Sequence, residues 1–139
     1  MPAAKIVLID DNIEVLDFCR IILSQKYEVI TESDSLKALE VIQREKPDLV
    51  VLDLKMPRID GFKIFDKLKE DDETNRIPVL FVTAATQDED IPNAFWQKTL
   101  GCDGFLTKPF SPSDLLNAVE KVFRKKYKLN EKGSGPGFI

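Results

Sequence analysis

Short β-branched apolar runs alternate along this chain with segments whose apolar residues recur at helical spacing. Residues 5–9 (KIVLI), 27–31 (YEVIT), 48–52 (DLVVL), 79–82 (VLFV) and 104–107 (GFLT) read as strands. Residues 13–25 set Leu16, Cys19, Ile22 and Leu23 on one helical face. Residues 35–46 do the same with Leu36, Leu39 and Ile42, and Pro47 stops that helix. Phe62, Phe65 and Leu68 mark a third helix, and a fourth is expected near residues 90–100. The last helix opens at Ser111. Ser111 serves as N-cap, Pro112 suits the first helical position, and Asp114 completes a capping box. Several strands are continuous apolar runs rather than alternations, as expected of strands buried on both faces. The fold predicted is therefore α/β, a doubly wound parallel sheet of five strands with five helices.

The chain's 139 residues suffice for one domain with a proper core. At 43% apolar the composition is that of a folded globular chain rather than a disordered one. Residues 1–127 are expected to form the domain. Residues 128–139, which include GSGPG, have the composition of a flexible tail or linker. A net charge of −4 argues against nucleic acid as a direct partner. No apolar run approaches the roughly 20 residues of a membrane span, and the N-terminus lacks the features of a signal peptide. Cys19 and Cys102 have no metal-type pairing and read as reduced, buried thiols of a cytoplasmic protein. The chain has no histidine, which excludes His-based acid–base chemistry, Ser-His-Asp triads and most zinc sites.

In a doubly wound sheet, ligands bind beyond the C-terminal ends of the strands. Asp10 and Asp11 follow the first strand, Asp53 closes the third, Thr83 closes the fourth and Lys108 follows the fifth. Each residue alone has an ordinary explanation. The acid pair could open a helix that Asn12 also caps, and a single strand-end Asp is commonly a turn residue. Their joint order is what matters. Three carboxylates at one edge repel, and one lysine does not neutralise them. An oxygen-only set of this kind suits Mg²⁺, which works with phosphate oxygens. A cation beside a carboxylate, an ammonium and a hydroxyl is a setting for phosphoryl transfer, with Asp53 as nucleophile.

The segments IDDN, LDLKMPRIDG, VTA and LTKPF, in that order, resemble the response-regulator receiver family over residues 5 to about 126. That resemblance implies a flavodoxin-like sheet of order 2-1-3-4-5. It implies that Asp53 accepts a phosphoryl group from a histidine kinase or phosphotransfer protein. Asp11 and Asp53 would bind Mg²⁺ through their side chains, Lys55 through its main-chain carbonyl and Asp10 indirectly. Thr83 and Lys108 would contact the phosphoryl oxygens, with a cis bond before Pro109. Phe105 would turn inward as Thr83 moves, changing the face made by the helix near 90–100, the fifth strand and the last helix. The family commonly has Tyr at that position. Lys55 and Ala85 would tune the lifetime of the acyl phosphate, and self-hydrolysis is expected not to be especially fast.

The 25 residues from Thr83 to Lys108 are slightly more than the family pattern, and this segment holds Trp96, the only Trp, where an exposed ring would mark a partner contact. Two other classes compete with a signalling switch. A phosphorylation-independent scaffold would not need the intact acid, Thr and Lys set. An Asp-nucleophile phosphohydrolase usually needs a second acid two residues on, where this chain has Lys55. No Gly-rich phosphate loop follows the first strand. The expected role is a non-enzymatic phosphoacceptor whose downstream partner the sequence does not name.

Overall fold

The computed structural model describes residues 3–54, 61–83 and 102–127. Five parallel strands, β1 (Lys5–Ile9), β2 (Glu28–Glu32), β3 (Leu49–Asp53), β4 (Val79–Thr83) and β5 (Gly104–Thr107), form one sheet in the order β2-β1-β3-β4-β5. The helices among the described residues are α1 (Ile13–Leu23), α2 (Ala38–Glu45), α3 (Gly61–Glu70) and α4 (Pro112–Tyr127). The helix expected near residues 90–100, with Trp96 and Ala85, lies outside the described residues. So do Lys55 and the tail.

Alternate residues of each central strand feed two separate apolar layers. Val7 and Ile9 of β1 pack with Ala38, Val41 and Ile42 of α2 and Ile64, Phe65 and Leu68 of α3. Ile6 and Leu8 pack on the opposite face with Leu16, Cys19 and Leu23 of α1 and Leu115, Val119 and Phe123 of α4. Burial on both faces explains why β1 and β3 read as unbroken apolar runs. β2 is only half-buried, as suits an edge strand. The order reverses between β1 and β3, so the switch point falls where Asp10, Asp11 and Asp53 leave the sheet.

Local signals set most element ends. Asn12 caps α1 by accepting from the backbone N–H groups of Glu14 and Val15. The capping box of α4 is reciprocal: Ser111 N–H donates to Asp114 Oδ2 at 3.0 Å and Asp114 N–H to Ser111 Oγ at 3.1 Å. The second helix departs from expectation. Residues Ser35–Lys37 form a 3₁₀ turn before α2, and Leu36 is 60% exposed rather than on the apolar face. A 3₁₀ turn advances three residues per turn, so the helical register predicted through Leu36 is lost. Lys46, in the left-handed region at φ 48°, ends α2 one residue before Pro47. Asp48 precedes β3 rather than joining it, and its Oδ2 accepts from Lys5 N–H at 2.7 Å. Neither cysteine is in a disulfide, and both are buried.

Candidate functional site

Three strand ends converge at the switch point. Asp10 follows β1, Asp53 is the last residue of β3, and Lys108 follows β5. Carboxylate oxygens of Asp10, Asp11 and Asp53 all lie within 4.8 Å of one another. Asp10 and Asp53 are each 5% exposed, whereas Asp11 faces solvent. Lys108 Nζ, 98 residues from Asp10 in sequence, donates to Asp10 Oδ2 at 3.0 Å and stands 3.6 Å from Asp53 Oδ2. The other Asp10 oxygen, Oδ1, accepts from Asn12 N–H at 2.9 Å. Lys108–Pro109 is a cis peptide, as expected.

The charges explain the titration of Lys108. Burial by itself would lower the ammonium's pKa. The hydrogen bond with Asp10, then the negative charges of Asp53 and Asp10, outweigh burial and raise it. Lys108 is therefore a firmly protonated cation between two buried carboxylates. Three acids and one such cation leave excess negative charge, and the donors are all oxygen. That donor set fits a hard divalent cation.

Other sequence-predicted residues fall as follows. Thr83 ends β4 in register with Thr107, one strand over from Asp53, which is paired with Val82. Phe105 is half-buried, packs against the layer beneath α2 and α3, and lies in register with Phe81. The main-chain carbonyl of Lys55 lies outside the described residues. Gly61 proves to matter through close approach. A Cβ there would stand 2.5 Å from the Asp53 carbonyl oxygen and 2.9 Å from Leu54 Cα. Its N–H donates to the Leu54 carbonyl at 3.0 Å, so the start of α3 is held against the backbone that carries Asp53.

Cys19, expected only as a buried core thiol, lies directly below the acids. With Asp10, Asp53 and apolar neighbours it lines a void of about 10 Å³, room for roughly one water. Burial, and after it the negative charge of Asp10, push its thiol up to about 12, against the opposing pull of Lys108. Helical spacing did place Cys19 on the inner face of α1, but only the assembled sheet reveals what lies beneath that face.

The family model for the response regulator receiver domain matches residues 6–120. The chain belongs to the response regulator receiver family. This receiver domain is 33% identical to a probable transcriptional regulator ycf27 of Porphyridium aerugineum, over 98% of this chain and 55% of that one. It is 35% identical to the DNA-binding dual master transcriptional regulator RpaA of Synechocystis sp., over 87% of this chain and 49% of that one. The chain thus spans about half the length of the curated relatives it matches. Among solved structures it resembles the chemotaxis protein CheY4 of Vibrio cholerae, with TM-score 0.77 and 30% identity over 86% of this chain and 98% of that one. A receiver domain protein of Clostridium thermocellum gives TM-score 0.78 and 29% identity over 91% and 99%.

Receiver domains of two-component response regulators are signalling domains that act as phosphorylation switches. Among the described residues no helix is long and apolar enough to cross a membrane. The expectation of no direct nucleic-acid contact, which rested on net charge, finds no support in relatives named as transcriptional regulators.

Proposed function

We propose that Asp53 is the phosphoacceptor of this receiver domain and that Lys108 holds the transferring group against it. The observation that carries this is the position of the Lys108 ammonium, shared between Asp10 at 3.0 Å and Asp53 at 3.6 Å within one carboxylate cluster. An Asp53 carboxylate oxygen attacks phosphorus, the bond from phosphorus to the donor's leaving group breaks, and that group departs with the electron pair. For a phosphohistidine of a kinase or phosphotransfer protein, the leaving group is an imidazole, which takes a proton from solvent. Lys108, already protonated, shifts toward the added oxygens and offsets their charge.

Asp11 and Asp53 would hold Mg²⁺ through their side chains and Lys55 through its main-chain carbonyl, with Asp10 acting indirectly through water or charge. The bound cation supplies positive charge that lets the acids and an incoming phosphoryl group share one pocket. Thr83 at the end of β4 would bond another phosphoryl oxygen, and Phe105 on the neighbouring strand would repack in response. The altered face would be read by a partner or output region, and the relatives' names favour a transcriptional one. The domain is not itself an enzyme acting on a separate substrate. Its two cysteines, neither in a disulfide, suit the reducing cytoplasm.

The test is incubation with Mg²⁺ and acetyl phosphate, followed by intact mass measurement. One phosphoryl group should be added, and Asp53→Asn should prevent it. Labelling that survives in Asp53→Asn, or no labelling at all, would remove the assignment. Many turnovers on a phosphate ester would favour a phosphohydrolase instead.

A further inference from the structure

Asp10 spends its two oxygens on different partners. Oδ2 accepts from Lys108 Nζ at 3.0 Å, and Oδ1 accepts from the backbone N–H of Asn12 at 2.9 Å. The second bond fixes the carboxylate's rotation and hence the direction in which Oδ2 points. Asn12 is in turn held by its own side chain. Its Oδ1 accepts from Glu14 N–H at 2.9 Å and Val15 N–H at 3.2 Å, and its carbonyl accepts from Leu16 N–H at 3.1 Å. Those bonds settle its extended backbone, φ −89° and ψ 110°, from which its N–H turns back to Asp10. We infer that Asn12 is a positioning residue for phosphoryl transfer: its helix cap locks Asp10, and through Asp10 it sets where Lys108 stands relative to Asp53.

The inference rests on the reading of Asp53 as phosphoacceptor. Without the cap, the first turn of α1 loosens and the Asn12 N–H no longer orients Asp10. Asp10 then rotates, and Lys108 loses the fixed partner that keeps it 3.6 Å from Asp53. Asp11 and Asp53 need no contact with Asn12 to offer their oxygens. Loss of the cap should therefore slow transfer while leaving the cation's two direct side-chain ligands, Asp11 and Asp53, in place.

The experiment measures the rate of Asp53 labelling by acetyl phosphate across a range of Mg²⁺ concentrations. The chains compared are the unsubstituted one, Asn12→Ala, Asn12→Gly, Asn12→Ser and Thr74→Val. Glycine is tolerated at N-caps but offers no acceptor, so Asn12→Gly carries the test if Asn12→Ala folds poorly. Thr74 Oγ donates to the Leu68 carbonyl at 2.7 Å beyond the end of α3, so its loss costs stability away from the acids. In Asn12→Ala and Asn12→Gly the maximal rate should fall on the order of tenfold, as for a misaimed catalytic group, with no rise in the Mg²⁺ needed for half-saturation. Asn12→Ser, which restores an acceptor, should recover most of the rate, and Thr74→Val should keep it. An unchanged maximal rate in Asn12→Gly, a loss in Asn12→Ser as large, or an equal loss in Thr74→Val overturns the inference. No labelling of the unsubstituted chain overturns the phosphoacceptor reading and this inference with it.

Discussion

Lys108 Nζ is 0.6 Å nearer to Asp10, at 3.0 Å, than to Asp53, at 3.6 Å. Asp10 is thus the lysine's resting partner and Asp53 the group it is poised to reach. Replacing the cation leaves two carboxylates buried together with nothing to balance them. Lys108→Ala should lower the rate of Asp53 labelling by at least about tenfold at saturating Mg²⁺, the scale for losing one charge-stabilising group. A stopped-flow or quenched mass measurement checks it, and an unaltered rate would show that Lys108 has no part in transfer.

Asp11 is the exposed member of the acid cluster, so it can be changed with little damage to the core. If the cluster holds a divalent cation, Mg²⁺ at ten times its dissociation constant should stabilise the domain by about 1.4 kcal/mol. The midpoint of thermal unfolding should rise accordingly. Asp11→Asn should abolish most of that rise, and an Mg²⁺ effect of the same size in both chains would count against Asp11 as a ligand.

Gly61 is packed against the carbonyl of Asp53, 2.5 Å from where a Cβ would sit. Replacing a helical glycine by alanine usually gains stability, if less at a first helical residue such as Gly61 than in an interior. Here the sign should reverse, because the neighbouring atoms are backbone and cannot turn away. Gly61→Ala should destabilise by about 1–3 kcal/mol, as overpacking does. Urea unfolding measures it, and a stabilised variant would show that the approach of α3 to β3 is easily relieved.

Tyr127 ends α4 and its hydroxyl donates to the Asp48 carbonyl at 2.9 Å. Burial, then the charges of Asp48 and Asp103, push its pKa from 10.0 up to about 12. The folded value exceeds the unfolded one, so this contribution is complete below pH 10 and lost as pH rises toward 12. Tyr127→Phe should cost about 1 kcal/mol at neutral pH. It should also flatten the fall of stability across pH 10–12, a range set by those two values. Unfolding curves at neutral and alkaline pH test both parts. An equally steep alkaline fall in the variant would place the titrating group elsewhere, Tyr27, Cys19 and Cys102 among the alternatives, all raised first by burial.

Much of the fold was legible because local rules and tertiary demands agree. Strands buried on both faces must be apolar throughout, and 5–9 and 79–82 appear at their expected places to within a residue. The Ser111–Asp114 box reports a helix start with no help from distant residues. Leu36 shows where this fails. Its spacing to Leu39 fits an α-helix, but a 3₁₀ turn intervenes and exposes it. A 3₁₀ turn and an α-helical turn both bring residues three apart onto one face, so the Leu36–Leu39 spacing does not choose between them.

The sequence by itself determined the strand and helix order, and with it the fact that Asp10, Asp11, Asp53, Thr83 and Lys108 each follow or end a strand. Those properties arise from period and capping, which act within a few residues. Only the tertiary structure decided that Asp10 divides its oxygens between Asn12 and Lys108. It also decided that Lys108 stands off Asp53, that Gly61 of α3 lies against the Asp53 main chain, and that Cys19 of α1 lines a small void with Asp10 and Asp53. Such relations depend on ångström-scale distances between residues up to 98 positions apart, and those distances are set by how two helical layers pack on one twisted sheet.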